Sequence, residues 1–197
     1  LLPLAPEINS WNIPLVQLMN RFPEFGNYAI TVDNFAGGQK AATHLLAQCA
    51  GPLGLISHDQ EAPELEKRRL GFETTVAAAG RRVIRRESFM SIDAGYEAAR
   101  ELLRLHPEIR GIFAASDFAA LGTVRAALEC ERRIPADLAI VGFDDLEIAA
   151  RQMVYPLTTL AQPKEQIGES AARILLHSLT NQPTAIEQFT PPLIQRK

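Results

Sequence analysis

Short apolar runs alternate with amphipathic stretches along most of this chain, and this alternation constrains its fold more than any other feature. The runs 53–57 and 138–143 are apolar almost throughout, whereas 64–79 and 93–105 carry apolar residues on one helical face. Strands that are apolar on both faces and separated by helices belong to parallel sheets covered on both sides. The sequence therefore predicts a doubly wound α/β fold.

The predicted elements follow one another in a regular order. Strands are expected at 13–16, 28–32, 53–57, 83–89, 111–115 and 138–143. Helices are expected over 34–49, 64–79, 93–105, 117–129 and from Pro163 onward. The tail from Ile186 to Ile194 is expected to be extended.

Composition limits the classes of function. The 197 residues carry 20 basic and 23 acidic side chains, and this net charge of -3 does not provide the basic surface of a nucleic-acid-binding domain. No apolar run approaches the about 20 residues of a membrane span, and residues 1–6 lack the basic start of a signal peptide. Cys49 and Cys130 are the only cysteines and are typical of a reducing compartment. We expect a cytoplasmic protein with no membrane partner.

Motifs for catalysis, cofactors and metals are missing from the sequence. It contains no Gly-x-Gly-x-x-Gly fingerprint, no Walker A loop and no Gly-x-Ser-x-Gly elbow. The histidines are scattered, without a His-Glu-x-x-His pair. Ser57, His58 and Asp59 are consecutive, and consecutive side chains of an extended segment point to opposite sides and cannot form a catalytic relay. We therefore expect no enzyme activity, no cofactor and no metal site.

Polar or aromatic residues follow each predicted strand. Ligands of doubly wound sheets bind beyond the carboxyl ends of the strands, so these positions indicate a site for a polar ligand. They are residues 33–35, 57–59, 89–90, 116–117 and 144–145. Asp and Ser at such places also suit helix capping. Asp144 and Asp145 are either paired carboxylates for metal or acid–base chemistry, or one ligand-facing carboxylate and one turn cap. The second alternative is favoured because no metal-ligand pattern accompanies them.

Several motifs occur in a fixed order between about residues 30 and 180. They are Val32-Asp33-Asn34-Phe35-Ala36-Gly37-Gly38, Arg68-Arg69-Leu70-Gly71-Phe72, Ala94-Gly95-Tyr96-Glu97-Ala98-Ala99, and the runs 112–122, 134–145 and 156–163. In this order they resemble the transcription regulators of the lactose-repressor/galactose-repressor (LacI/GalR) family. The resemblance implies the effector-binding core of a repressor, with a periplasmic-binding-protein-like type I fold of two parallel-sheet lobes around a cleft.

The resemblance also implies where the chain passes between these lobes. The amino-terminal lobe is expected to contain residues 1–49 and 163–190, and the carboxy-terminal lobe residues 53–161 and 191–197. The helix-turn-helix head by which the family binds DNA has no counterpart in this sequence. The amino-terminal lobe is also expected to be incomplete, because its first strand–helix–strand–helix portion is missing.

The implied effector site consists of Arg68, Asp144, Ser116, Phe89, Met90, Phe35, Ala36 and Gln162. Arg68 can donate a bidentate pair of hydrogen bonds, and Asp144 can accept from two hydroxyl groups. Either Phe89 or Met90 covers the apolar face of the ligand. Ser116 stands where many relatives have Asn, and its side chain is shorter and offers one donor. These groups suit a sugar or related polyol, and a nucleoside is a second class that they would accept.

The resemblance implies three partners: a small-molecule effector, operator DNA bound through the absent head, and a second copy of the chain in a homodimer. The pairing surface is expected on helix 117–129 and the segment after Asp145. Closure of the lobes on the effector is expected to change DNA affinity. Two alternatives remain open: a periplasmic sugar-binding protein of a transporter, which shares the fold, and a Rossmann-like enzyme, which would need the missing phosphate loop.

Overall fold

A computed structural model of the chain shows two compact units. The smaller unit contains Leu1–Asp33 and Pro163–Thr190, and the larger contains Asn34–Gln162 and Pro191–Lys197. The residues that the structure describes are 2–26, 28–58, 63–151, 155–179 and 186–196.

The elements alternate along the chain much as the sequence predicts. The strands are β1 Gln17–Met19, β2 Ala29–Val32, β3 Leu53–Ser57, β4 Val83–Glu87, β5 Gly111–Ala114, β6 Ala139–Asp144, β7 Thr158–Ala161, β8 Ile186–Phe189 and β9 Leu193–Ile194. The α-helices are α1 Ala5–Ser10, α2 Asn34–Gln48, α3 Pro63–Ala78, α4 Ile92–Leu105, α5 Asp117–Glu129, α6 Glu147–Arg151 and α7 Lys164–Ser178. Turns of 3-10 helix lie at Leu2–Leu4 and Pro23–Phe25.

The larger unit is built on a six-stranded sheet in the order β4-β3-β5-β6-β7-β9. Its strands are parallel except β9, which runs antiparallel to β7. Neighbouring residues Leu55 and Ile56 of β3 enter different cores, one shared with α2 and α3 and the other with α4 and α5. Because successive side chains of a strand point to opposite faces, the sheet is covered by a helix pair on each face, which confirms the doubly wound α/β prediction.

Close backbone contact joins α2 to α3. A Cβ atom added to Gly38 would lie 2.1 Å from the carbonyl oxygen of Arg68, and one added to Gly71 would lie 2.1 Å from the carbonyl oxygen of Phe35. Only glycine permits two helices to approach this closely. Gly71 thus explains part of the Arg-x-x-Gly-Phe motif: it brings α3 onto the first turn of α2.

The other face repeats the arrangement with α4 and α5. A Cβ atom added to Gly122 would lie 2.1 Å from the carbonyl oxygen of Ile92, and one added to Gly95 would lie 2.6 Å from that of Ala119. Both helices begin with a serine cap, where Ser91 accepts from the amide of Ala94 and Ser116 from that of Ala119.

The smaller unit contains a three-stranded parallel sheet in the order β1-β2-β8. Ile30 and Val32 of β2 form its core with Ile167 and Ile174 of α7. The helical spacing expected after Pro163 is therefore confirmed by α7. In the part of the chain that the structure describes, no helix has the length and apolar character needed to cross a membrane.

Two sequence predictions differ from the structure. The first strand lies at Gln17–Met19 instead of 13–16; Pro14 has no amide hydrogen for a sheet ladder, and the pairing begins with the Gln17 amide donating to the Tyr28 carbonyl. The predicted amino-terminal lobe, 1–49, included α2, which instead belongs to the larger unit. The reason is packing, because Ala41, Ala42 and Leu45 of α2 are fully buried in the larger unit's core.

Candidate functional site

Polar side chains collect at the carboxyl edge of the six-stranded sheet. Strands β3, β5, β6 and β7 are parallel and end at this edge. Ser57 ends β3, Asp117 follows β5, Asp144 ends β6 and Gln162 follows β7. The structure therefore places these side chains where ligands of open α/β sheets bind.

Arg68 is buried at this edge, with 6% of its surface exposed. Its Nε donates to the side chain of Asn34 at 2.6 Å, and its Nη1 donates to the carbonyl of Ala115 at 2.7 Å. Nη1 also lies 3.5 Å from Oδ1 of Asp144, and the guanidinium group stacks 3.6 Å from the centre of the Phe143 ring. Burial lowers the pKa of Arg68, and the nearby carboxylates oppose that effect.

Asp144 lies at the centre of the group. Its Oδ1 accepts from Nε2 of Gln162 at 2.5 Å and faces Nη1 of Arg68. Its backbone φ is +118°, and that of Asp145 is +51°. Non-glycine residues adopt such values rarely and at an energetic cost, and residues of this kind cluster at functional sites. The structure thus brings together three of the residues that the resemblance implied: Arg68, Asp144 and Gln162.

Asn34, one of the strand-exit residues, and Glu64, which the sequence did not single out, extend this group. Asn34 is 3% exposed; its Nδ2 donates to Oε2 of Glu64 at 2.7 Å while its Oδ1 accepts from Arg68. Glu64 also pairs with Lys67 at 2.7 Å. Two sequence signals could have found them: Asn34 follows the exit of β2, and Glu64 lies four residues before Arg68 on the same helical face.

Asp117 is the other buried charged residue at this edge, with no exposed surface. Its Oδ1 accepts from the hydroxyl of Thr159 at 2.6 Å, and its Oδ2 accepts from the amide of Leu146 at 2.7 Å. Burial raises the pKa of Asp117 from 3.8 to about 6; the two hydrogen bonds oppose this rise, and the charges of Asp144 and Asp145 add to it.

Ser116, Phe89 and Met90 line a separate small depression beside His58. Ser116 is buried, and its hydroxyl accepts from the Ala119 amide at 3.2 Å, so it already serves as the cap of α5. Phe89 and Met90 are 62% and 49% exposed, and the Phe89 ring lies 5.2 Å from that of His58. Both side chains are accessible, and the choice between them as the ligand's apolar contact remains a prediction.

The remaining predicted site residues, Phe35 and Ala36, lie in the first turn of α2, directly after Asn34. The Phe35 side chain is 39% exposed, and its carbonyl faces Gly71 of α3.

Asp144 and Asp145 have different side-chain partners. Asp145 forms an ion pair with Nη2 of Arg196 at 2.6 Å, whereas Asp144 faces Arg68 and Gln162. Within the described ranges, no group of three or more metal-ligating side chains is close enough to hold an ion. Asp59, the third residue of the Ser-His-Asp run, lies outside the described residues.

A family model for the periplasmic binding protein-like domain matches residues 42–197. The chain belongs to this family. Among its relatives, the ribose operon repressor of Halalkalibacterium halodurans is 33% identical over 186 residues, which are 94% of this chain and 56% of that protein. The chain therefore spans little more than half of that relative.

Solved structures of periplasmic binding protein-like regulators match most of the chain. The transcriptional regulator CelR in complex with cellobiose superposes with a TM-score of 0.87 at 28% identity, covering 98% of this chain and 61% of that one. A LacI-family transcriptional regulatory protein from Corynebacterium glutamicum superposes with a TM-score of 0.80 at 28% identity, covering 93% of this chain and 71% of that one. These matches confirm the resemblance and the type I fold, and the proteins they name are transcription regulators.

Proposed function

We propose that this chain is the effector-sensing core of a LacI-type transcription repressor. The observation that carries the proposal is the group at the carboxyl edge of the sheet, in which buried Arg68 faces the half-buried Asp144 and Asp144 accepts from the half-buried Gln162. A buried cation and a carboxylate with an unfavourable φ are costly to stability. Strained and buried charged residues cluster at ligand-binding sites, and the similar proteins described above are transcription regulators.

The hydrogen-bonding capacity of the group favours a polyhydroxyl ligand. Nη2 of Arg68 donates to no described residue, although Nε and Nη1 are both engaged. Oε1 of Gln162 is buried and likewise accepts from none of the residues described. A sugar or related polyol presents hydroxyl groups that both accept and donate, so one ligand would satisfy both side chains.

The relatives support the same class of ligand. One similar structure holds cellobiose, and one similar protein is named for the ribose operon. We infer a sugar or polyol effector for this chain, acting without enzymatic turnover. In the whole regulator, effector binding would change the affinity for operator DNA, with a typical coupling of about 1–3 kcal/mol. Closure of two lobes, a homodimer and a cytoplasmic location belong to the same proposal.

The test is a thermal-shift screen of the chain against ribose, cellobiose, other sugars, polyols and adenosine, followed by calorimetry on each compound that stabilises it. Asp144→Asn removes the carboxylate while keeping the side chain's shape, so affinity should fall about 10- to 100-fold. Asp137→Asn is the matched control, because Asp137 pairs with Arg133 on the surface and affinity should not change.

Two outcomes would count against this proposal. Unchanged affinity in Asp144→Asn would remove the carboxylate from the effector site. Conversion of the bound compound, followed by one-dimensional NMR over a day, would favour the enzyme alternative instead.

A further inference from the structure

Asp117 connects three parts of the larger unit through one buried carboxylate. It is the first residue of α5, and its two oxygens accept from Leu146 in the turn after β6 and from Thr159 in β7. A Cβ atom on Gly142 of β6 would lie only 2.3 Å from Oδ1. The carboxylate therefore packs directly on the backbone of the strand that ends at Asp144.

The turn that Asp117 holds is the turn that carries Asp144. Asp144 and Asp145 both have positive φ, so the backbone enters Leu146 in a conformation that must be maintained by its surroundings. The amide of Leu146 is the next donor along the chain, and its acceptor is Oδ2 of Asp117 at 2.7 Å. A hydrogen bond to an ionised carboxylate is roughly twice as strong as one to a neutral acceptor.

Several charged groups surround Asp117. Asp144 and Asp145 lie in the turn after β6, and their charges oppose its ionisation. Arg68 of α3 interacts with it favourably, and Arg196 pairs with Asp145 and reduces that residue's effect. The helix amides at the start of α5 also favour a negative charge at this position.

We propose that Asp117 is a positioning residue: its ionised carboxylate holds the 144–146 turn in the conformation that presents Asp144 to Arg68 and Gln162. The part of Asp144 in effector binding rests on the function proposed above, whereas the positioning of the turn by Asp117 does not. The raised pKa of about 6 makes the effect observable near neutral pH. When the Asp117 carboxylate is protonated, the hydrogen bond that it accepts from the Leu146 amide weakens, and the 144–146 turn becomes less ordered.

The experiment is an NMR titration of the isotopically labelled chain between pH 5 and 7.5, with no ligand present. Two signals are followed: the backbone amide of Leu146, which donates to Asp117, and the side-chain amide of Gln162, which donates to Asp144. Both should shift together with a midpoint near pH 6. In Asp117→Asn both should be independent of pH, and the Leu146 amide should exchange with solvent about tenfold faster.

Asparagine is chosen because it keeps an acceptor for Leu146, whereas alanine would leave two buried donors unpaired and unfold the region. Asp145→Asn is the matched control: it removes a neighbouring carboxylate from the same turn, so the titration should remain but with a lower midpoint, because one charge that raises the pKa of Asp117 is gone. A purely structural role would change thermal stability without moving either signal. Loss of the titration in Asp145→Asn, or a fixed Gln162 signal while Leu146 titrates, would overturn the proposal. Neither result depends on an effector, so failure of the proposed function is a separate outcome.

Discussion

The α2–α3 and α4–α5 helix pairs cover opposite faces of one sheet and are both packed through glycines. They nevertheless place side chains of opposite charge at the carboxyl edge of the sheet. Each pair is joined through glycines that admit a helix backbone at van der Waals distance. The first pair buries the cation of Arg68, and the second buries the anion of Asp117.

The difference between the two charges lies in how fully the protein satisfies them. Both oxygens of Asp117 accept from protein donors, whereas Nη2 of Arg68 donates to none of the described residues. A charge that the fold satisfies completely holds structure in place, and a charge with unused donors is available to a ligand. The comparison teaches that burial alone does not identify a binding residue; the unused hydrogen-bonding capacity does.

The largest effect on stability is expected from adding a methyl group at the glycines where paired helices touch. Gly71→Ala and Gly122→Ala each place a methyl group 2.1 Å from a carbonyl oxygen of the facing helix, so each should lower the free energy of unfolding by about 3 kcal/mol. Urea denaturation measures this. Only Gly71→Ala should also weaken effector binding, because Arg68 lies one turn away; equal loss of binding in both variants would contradict the comparison.

A smaller effect is expected from the pH dependence of stability. The folded-state pKa of Asp117, about 6, lies above its ordinary 3.8, so the folded chain binds this proton more tightly than the unfolded chain. The resulting stabilisation is complete at low pH and is lost as pH rises through 6, by up to roughly 3 kcal/mol. The Asp117→Asn variant has no carboxyl group to titrate here and should not lose stability in this way. Its free energy of unfolding, measured by denaturation, should therefore rise relative to that of the wild-type chain between pH 4 and 7. Parallel curves would show that Asp117 is not buried as described.

Removing one polar side chain from each helix pair should lower stability by different amounts and so distinguish the two pairs further. Arg68→Ala removes the hydrogen bonds that Arg68 donates to Asn34 and to the Ala115 carbonyl, at a cost of about 2 kcal/mol in unfolding free energy. Ser116→Ala removes only a helix cap and should cost about 1 kcal/mol. Arg68→Lys should recover little, since an ammonium group cannot reproduce the guanidinium geometry. Thermal and urea melts of the three variants rank them.

The smallest effect should come from a glycine outside the pairs. A Cβ atom on Gly168 of α7 would meet nothing within 4 Å. Gly168→Ala should therefore stabilise the chain by about 0.5–1 kcal/mol. A loss of stability measured by the same melts would mean that α7 is packed on that side.

The sequence predicted most of the sheet, because its buried strands are apolar on both faces and need no tertiary information. It did not predict α1 or α6, which are only 6 and 5 residues long and show no full helical period. The lobe boundary that the resemblance implied, after residue 49, placed α2 in the amino-terminal lobe, whereas α2 belongs to the larger unit. The glycine contact with α3 decides this, and such a contact is visible only when both helices are in place.

The grouping of the candidate residues was predicted in part. Motif matching selected Arg68, Asp144 and Gln162, and the structure joins them by hydrogen bonds and an ion pair, while their role toward a ligand stays a prediction. The strand-exit rule included Asn34, but it did not include Glu64, because a hydrogen-bonded chain between two helices depends on side-chain rotamers. The sequence favoured different roles for Asp144 and Asp145. It did not indicate that Asp145 pairs with Arg196, because Arg196 lies 51 residues away in sequence.

Arg196 connects the last residues of this sequence to the turn at Asp145. Its guanidinium group bridges Asp145 and the carbonyl of Leu157, and its backbone bonds to Thr158. Arg196→Gln would remove the positive charge of this bridge and so change the charge balance beside Asp144 without altering any residue of the turn itself. The electrostatics of the turn therefore depend on a residue that is far from it in sequence.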